Sequence, residues 1–184
     1  PFDNGFVSGV GRDESLAPWP RTKATISDQL CEYYGLITHL DEQVGRIVKA
    51  MEALPDANNT YLVYTADHGL AMGSHGLLGK QNIYEHSVQS PFILRGPGVP
   101  RGGQTTALTY IHDLYATFCR LAGRGVPEGV DSEDLAPLWR GEKKSLRDTA
   151  FLPFQQSMRA ITDGRWKLHQ YPHSNHTLLF DLEE

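Results

Sequence analysis

Apolar residues recur at three- and four-residue steps from Thr25 to about Leu54, through Ile26, Leu30, Tyr33, Ile37, Leu40, Val44, Ile47, Val48 and Met51. That spacing predicts one long amphipathic helix, capped by Thr25 or Ser27 and stopped by Pro55. Its stripe calls for a sheet to lie against, and Gly35 and Gly45 would let a neighbour come close. The pattern then changes. Tyr61 to Tyr64 is a short β-branched and aromatic run between Asn and Asp-His-Gly, which reads as a buried strand. A Gly-rich loop covers 67–82, "YEHSVQ" gives one helical turn, and Phe92 to Arg95 forms a second strand closed by Gly-Pro-Gly. "TYIHDLYATFCRLAG" predicts a second helix with Ile111, Leu114, Tyr115, Phe118 and Leu121 as its stripe and Gly123 at its end. Helix, strand, strand and helix in succession mark an α/β fold. From about Thr149 the texture is antiparallel: "MRAITDGRWKLHQY" alternates on both sides of Asp163-Gly164, and "HTLLFDLEE" supplies a further strand. The organisation expected is an α/β part over residues 1–148 and a small antiparallel part over 149–184. Residues 1–24, rich in Gly, Pro and charge, read as loop.

Composition narrows the partners. The chain has 184 residues, 40% hydrophobic and 21% charged, with a net charge of -5. It is globular rather than disordered, and its mildly acidic balance with no run of Lys or Arg argues against nucleic acid, which needs a concentrated basic face. No apolar run approaches the ~18 residues of a membrane span. Cys31 and Cys119 form no disulfide framework and are expected as small buried residues. No basic-then-apolar leader is visible, and an opening on Pro1 suggests a start further upstream.

The candidate chemistry lies in "TADHGLAMGSHGLLGK". Asp67 and His68 sit at the carboxyl end of a predicted strand, the edge where open α/β sheets bind ligands. Gly69 permits the turn that would bring a carboxylate and an imidazole to one divalent ion. Two ligands are too few, so others must come from elsewhere. Lys80, twelve residues after His68, could fold back and neutralise a tetrahedral oxyanion. His75 could share that task or give a proton to a leaving group. On spacing alone, a polar turn and a solvated lysine compete with this reading. His39, His86, His112 and His169 are expected to be structural. Asp113 is expected as a cap or buried acceptor, and His173 and His176 as exposed.

Four blocks carry a resemblance: "YYGLITHLDEQVGRIVKAME", "NNTYLVYTADHGLAMGSHGLLGKQNIYEHSVQSPFILRGPGV", "IHDLYATFCRLAG" and "RWKLHQY … LLFDLEE". In order and spacing they resemble the later part of a type I sulfatase, of the alkaline phosphatase superfamily. The resemblance implies a three-layer α/β/α sandwich with a mostly parallel sheet, incomplete here, followed by a small C-terminal antiparallel sheet. It implies Asp67 and His68 as ligands of one divalent ion, usually calcium, with manganese or zinc as alternatives. Lys80 would bind the sulfate ester, and His75 matches a recurrent family histidine. The family's Asp-Asp pair and its Cys-x-Pro-x-Arg, whose cysteine becomes the formylglycine nucleophile, are both absent from this sequence. The chain therefore reads as a fragment, inactive alone and short of partners for its apolar faces. Pro1-Phe2 resembles the stump of a family His-x-Pro-Phe segment. Ser74 stands where glutamate is frequent, and Gln89-Ser90 where Arg-Val is frequent. The substrate implied is a sulfated small molecule or glycan, in a periplasmic, secreted or lysosomal-type compartment. Phosphonate monoester hydrolases share the same site plan and are the alternative, beside a non-enzymatic remnant.

Overall fold

The computed structural model describes residues 16, 17 and 20–184. Of the loop expected over residues 1–24, residues 1–15, 18 and 19 lie outside them, and the Pro1-Phe2 stump with them, while Lys23 and Ala24 are already helical. The described residues fall into two compact units divided between Pro97 and Gly98.

The first unit opens with helix α1, Lys23–Glu52. Its cap is Thr22, in extended conformation, whose hydroxyl accepts from the Thr25 amide at 3.2 Å. The cap therefore lies three residues before the first one expected, because Thr25 supplies the amide and not the acceptor. No α1 residue is buried. Ile37, Leu40 and Ile47 of the predicted stripe are exposed, and among the described residues a Cβ on Gly35 or Gly45 would meet nothing within 4 Å. Neither glycine serves a close approach to a described residue. Cys31 is exposed rather than buried, because it lies on the helix flank beside the stripe, and Cys119 is half-buried.

Strand β1, Leu62–Thr65, and strands β2, Ala71–Met72, and β3, Leu78–Gly79, come next, followed by the single helical turn α2, Glu85–Val88, and strand β4, Phe92–Arg95. The two strands read from the sequence thus form where expected. They pair antiparallel, Leu62 opposite Arg95 and Tyr64 opposite Ile93, so this pair does not supply the parallel majority of the implied sheet. The Tyr61 ring packs on Gly96, and its hydroxyl donates to the Pro97 carbonyl at 2.9 Å.

The second unit holds helix α3, Asp113–Leu121, the turn α4, Ala136–Trp139, and a four-stranded antiparallel meander. Its strands are β5, Ala150–Phe154; β6, Met158–Thr162; β7, Trp166–Tyr171; and β8, His176–Asp181. Gly123, with φ +67°, closes α3, and its neighbour Arg124 donates to the Cys119 carbonyl at 2.8 Å. The Asp163-Gly164 turn joins β6 and β7 as expected, with the Asp163 carboxylate accepting from the amides of Arg165 and Trp166. His173 is exposed, but His176 opens β8 opposite Tyr171 and is half-buried, since strand pairing begins there.

Asp113 is fully buried, as an acceptor. Its carboxylate takes the Tyr110 amide at 2.7 Å, the Glu133 amide at 2.9 Å, and both terminal nitrogens of Arg147 at 2.8 and 2.9 Å. The Arg147 guanidinium also lies 4.6 Å from the centre of the Tyr110 ring, whose hydroxyl accepts from the Phe151 amide. One carboxylate thus ties the start of α3 to the loop before α4 and to the segment entering β5.

Candidate functional site

The site residues all belong to the first unit. β1 delivers the chain to Asp67 and His68, as the sequence predicts. His68 Nδ1 lies 2.8 Å from the Gly69 carbonyl, and its Nε2 lies 3.6 Å from Asp67 Oδ1. A carbonyl can only accept, so this contact places a ring proton on Nδ1 and leaves Nε2 as the ring nitrogen nearest the carboxylate. A cation between the two, a proton on Nε2 or a metal ion, satisfies both groups. The Asp67 side chain is 87% exposed and that of His68 38%, so an ion from solvent can reach both. The pair therefore fits part of the shell of a divalent ion, one oxygen and one nitrogen. Among the described residues no third His, Cys, Asp or Glu joins them.

Gly69 is required, but not for an unusual backbone angle. Any Cβ there would collide with the His86 carbonyl, and the Gly69 amide donates to the Ser87 carbonyl at 2.9 Å. The α2 turn is packed directly behind the Asp67–His68 pair.

The segment expected as a flexible Gly-rich loop is a small hairpin. β2 and β3 pair Ala71 with Gly79 and Met72 with Leu78, and Ala71 and Leu78 are wholly buried. Gly73, with φ +106°, turns the chain, and a Cβ there would approach Ile26 of α1 to 2.7 Å. His75 at the apex is itself left-handed, with φ 57° and ψ 19°. Because Gly79 is paired with Ala71, the hairpin returns the Lys80 backbone to the level of Leu70, two residues from His68. The Lys80 side chain is exposed and makes no ion pair among the described residues.

Three rings meet beyond Lys80. His75 stacks on Tyr84 with centroids 4.1 Å apart and planes at 19°, and His86 lies 5.8 Å from Tyr84 and 5.9 Å from His75. Sequence reasoning placed these side chains in separate elements and missed their meeting. The signal available was the apolar residues flanking "GSH", at 70–72 and 77–78, which mark a hairpin able to carry His75 back toward Tyr84.

The sulfatase family profile matches residues 8–124, and the profile described as N-sulphoglucosamine sulphohydrolase, C-terminal, matches residues 73–184. Arylsulfatase K of Canis lupus familiaris is 29% identical over 175 residues, covering 88% of this chain and 33% of that protein. The N-acetylglucosamine-6-O-sulfatase of Bacteroides thetaiotaomicron is 32% identical over 118 residues, which are 64% of this chain and 21% of that protein. The solved phosphonate monoester hydrolase of Silicibacter pomeroyi superposes with a TM-score of 0.82 at 27% identity, over 92% of this chain and 37% of that one. The chain thus spans about a third or less of the length of these two relatives. Its architecture is that of the alkaline-phosphatase-like α/β fold, with a small C-terminal antiparallel sheet.

Proposed function

Because this chain belongs to the sulfatase family, we propose that it is the carboxyl-terminal part of the catalytic machinery of a sulfate ester hydrolase. Asp67 and His68 would hold a divalent ion, calcium by the resemblance, with manganese or zinc as alternatives that the imidazole accommodates. The observation that carries this reading is the His68 ring: its Nδ1 is committed to a carbonyl, and its Nε2 faces a carboxylate at 3.6 Å. A bound ion supplies Lewis-acid polarisation of an ester oxygen. Lys80, returned beside this pair by the hairpin, would neutralise the ester's remaining oxygens as negative charge grows on them. The nucleophile, a formylglycine by the resemblance, would come from outside these residues, so the chain alone is expected to be inactive. A sulfated glycan is the favoured substrate class, supported by the relative named for N-acetylglucosamine 6-O-sulfate.

The likeness to a phosphonate monoester hydrolase, at a TM-score of 0.82, favours one competing reading in which the same residues act on a phosphonate ester. Rates of the whole protein on nitrophenyl sulfate and on a phenylphosphonate monoester decide between them. Faster sulfate hydrolysis is expected, and the reverse order replaces the sulfatase reading. Calorimetric titration with calcium and with manganese tests the metal pair independently of turnover. Asp67→Asn and His68→Ala should each weaken the tighter ion by at least about tenfold, and unchanged binding in both removes the pair from the shell.

A further inference from the structure

His75 combines two features that seldom coincide on a loop. Its backbone is left-handed, a conformation that a non-glycine residue keeps only where its surroundings impose it. Its ring, though exposed, lies nearly parallel to that of Tyr84 at 4.1 Å. Tyr84 is held in turn. Its amide donates to Asn82 Oδ1 at 3.0 Å, and the Asn82 amide donates to the Lys80 carbonyl at 2.9 Å. The Tyr84 carbonyl accepts from Ser87 and Val88, which opens the α2 turn. The third ring belongs to His86, whose carbonyl is packed against Gly69 beside His68. One contact surface therefore joins the hairpin apex, the turn that carries Lys80, and the backbone behind the Asp67–His68 pair.

We propose that the His75–Tyr84–His86 ring cluster is a brace that sets the Lys80 turn against the Asp67–His68 pair, with His75 acting as a positioning residue. The inference rests on the site reading given above. It follows from geometry: face-on stacking directs the imidazole face to Tyr84, and the hydrogen-bonded turn passes any shift of Tyr84 to Lys80. A small misplacement of a charge-stabilising group is enough to slow an ester hydrolysis by about a hundredfold.

A double-mutant cycle in the whole protein tests it. His75→Asn tolerates the left-handed backbone but deletes the ring, and Tyr84→Leu deletes the stack but keeps the imidazole. Each should lower kcat/KM for nitrophenyl sulfate by about 10- to 100-fold, with the double variant no worse than either single one. Tyr84→Phe should recover most of the loss, and His75→Asn should keep the shape of the wild-type pH–rate profile. A His75→Asn loss far exceeding that of Tyr84→Leu, or a missing limb in its pH profile, would make His75 a proton donor and overturn the brace. Should the wild-type protein hydrolyse neither sulfate nor phosphonate ester, the site reading fails, and amide exchange still judges the brace. The Gly69 and Tyr84 amides should then exchange at least about tenfold faster in His75→Asn and in Tyr84→Leu, but not in Tyr84→Phe. Wild-type protection in the two ring-deleted variants overturns it.

Discussion

Replacement of Lys80 by alanine should lower kcat/KM of the whole protein for nitrophenyl sulfate by about 10²–10³-fold, the usual loss when one preorganised charge-stabilising group is removed. The effect should come with little change in melting temperature. The side chain is exposed, and exposed substitutions away from special features stay within about 0.5 kcal/mol. Lys80→Arg should recover part of the rate, because the charge is kept while the compact ammonium becomes a planar fork of different reach. Wild-type turnover by the alanine variant would end the assignment of this amine to the ester.

The largest effect on stability is expected at Asp113. Burial by itself would raise its carboxyl, but the Arg147 guanidinium and the amides of Glu133 and Tyr110 outweigh that and hold it below the ordinary carboxylate value. Arg147 is raised in its turn by the same hydrogen bond, against the opposing effect of burial. Asp113→Asn leaves the shape nearly intact and strands a largely buried guanidinium. The expected cost is about 3–5 kcal/mol in urea unfolding at neutral pH. Arg165→Met, which breaks the pair between the half-exposed Arg165 and the more buried Asp181 at 2.9 Å, should cost less, about 1–2 kcal/mol. The pH dependence has a definite sign. A carboxyl depressed in the folded state stabilises above its unfolded value near ~3.9 and ceases to do so as pH falls through its folded value. The wild-type protein should therefore lose this contribution only in acid, and Asp113→Asn should show a correspondingly flatter acid limb. Equal stability of the two proteins at pH 7 would remove Asp113 from its role as a strut.

Much of the fold was legible because local signals and tertiary structure agree. β4 coincides with the run Phe92 to Arg95, and β1 begins one residue after the expected start. The Asp163-Gly164 turn and the end of α3 at Gly123 follow from residues whose backbone preferences leave few choices. What alternation does not reveal is which face of a strand is covered. β7 buries Lys167 and His169, each about 1% exposed, while Trp166 and Leu168 on its other face are open. Phe151, Ile161, Leu168 and Leu179 lie opposite one another across all four strands, and all four are exposed. A period of two fixes the partition of side chains between faces but carries no sign. Asp67, His68 and Lys80 were singled out by residue type beside a predicted strand end and by the family resemblance, with a polar turn and a solvated lysine as the competing reading. The hairpin between them was hidden by its three glycines, which read as looseness although all three adopt a positive φ. The ring cluster was hidden for another reason. His75 and Tyr84 are nine positions apart, and no helical or strand period brings such residues together.

The left-handed apex narrows what position 75 can accept. Two filters act there at once. The backbone admits glycine and asparagine with ease and histidine tolerably, yet rejects β-branched and bulky side chains. The stack on Tyr84 asks for a flat ring, which glycine and asparagine lack. Imidazole is the smallest aromatic group that passes both, so drift at this apex should be nearly closed even if its nitrogen atoms never carry a proton to anything.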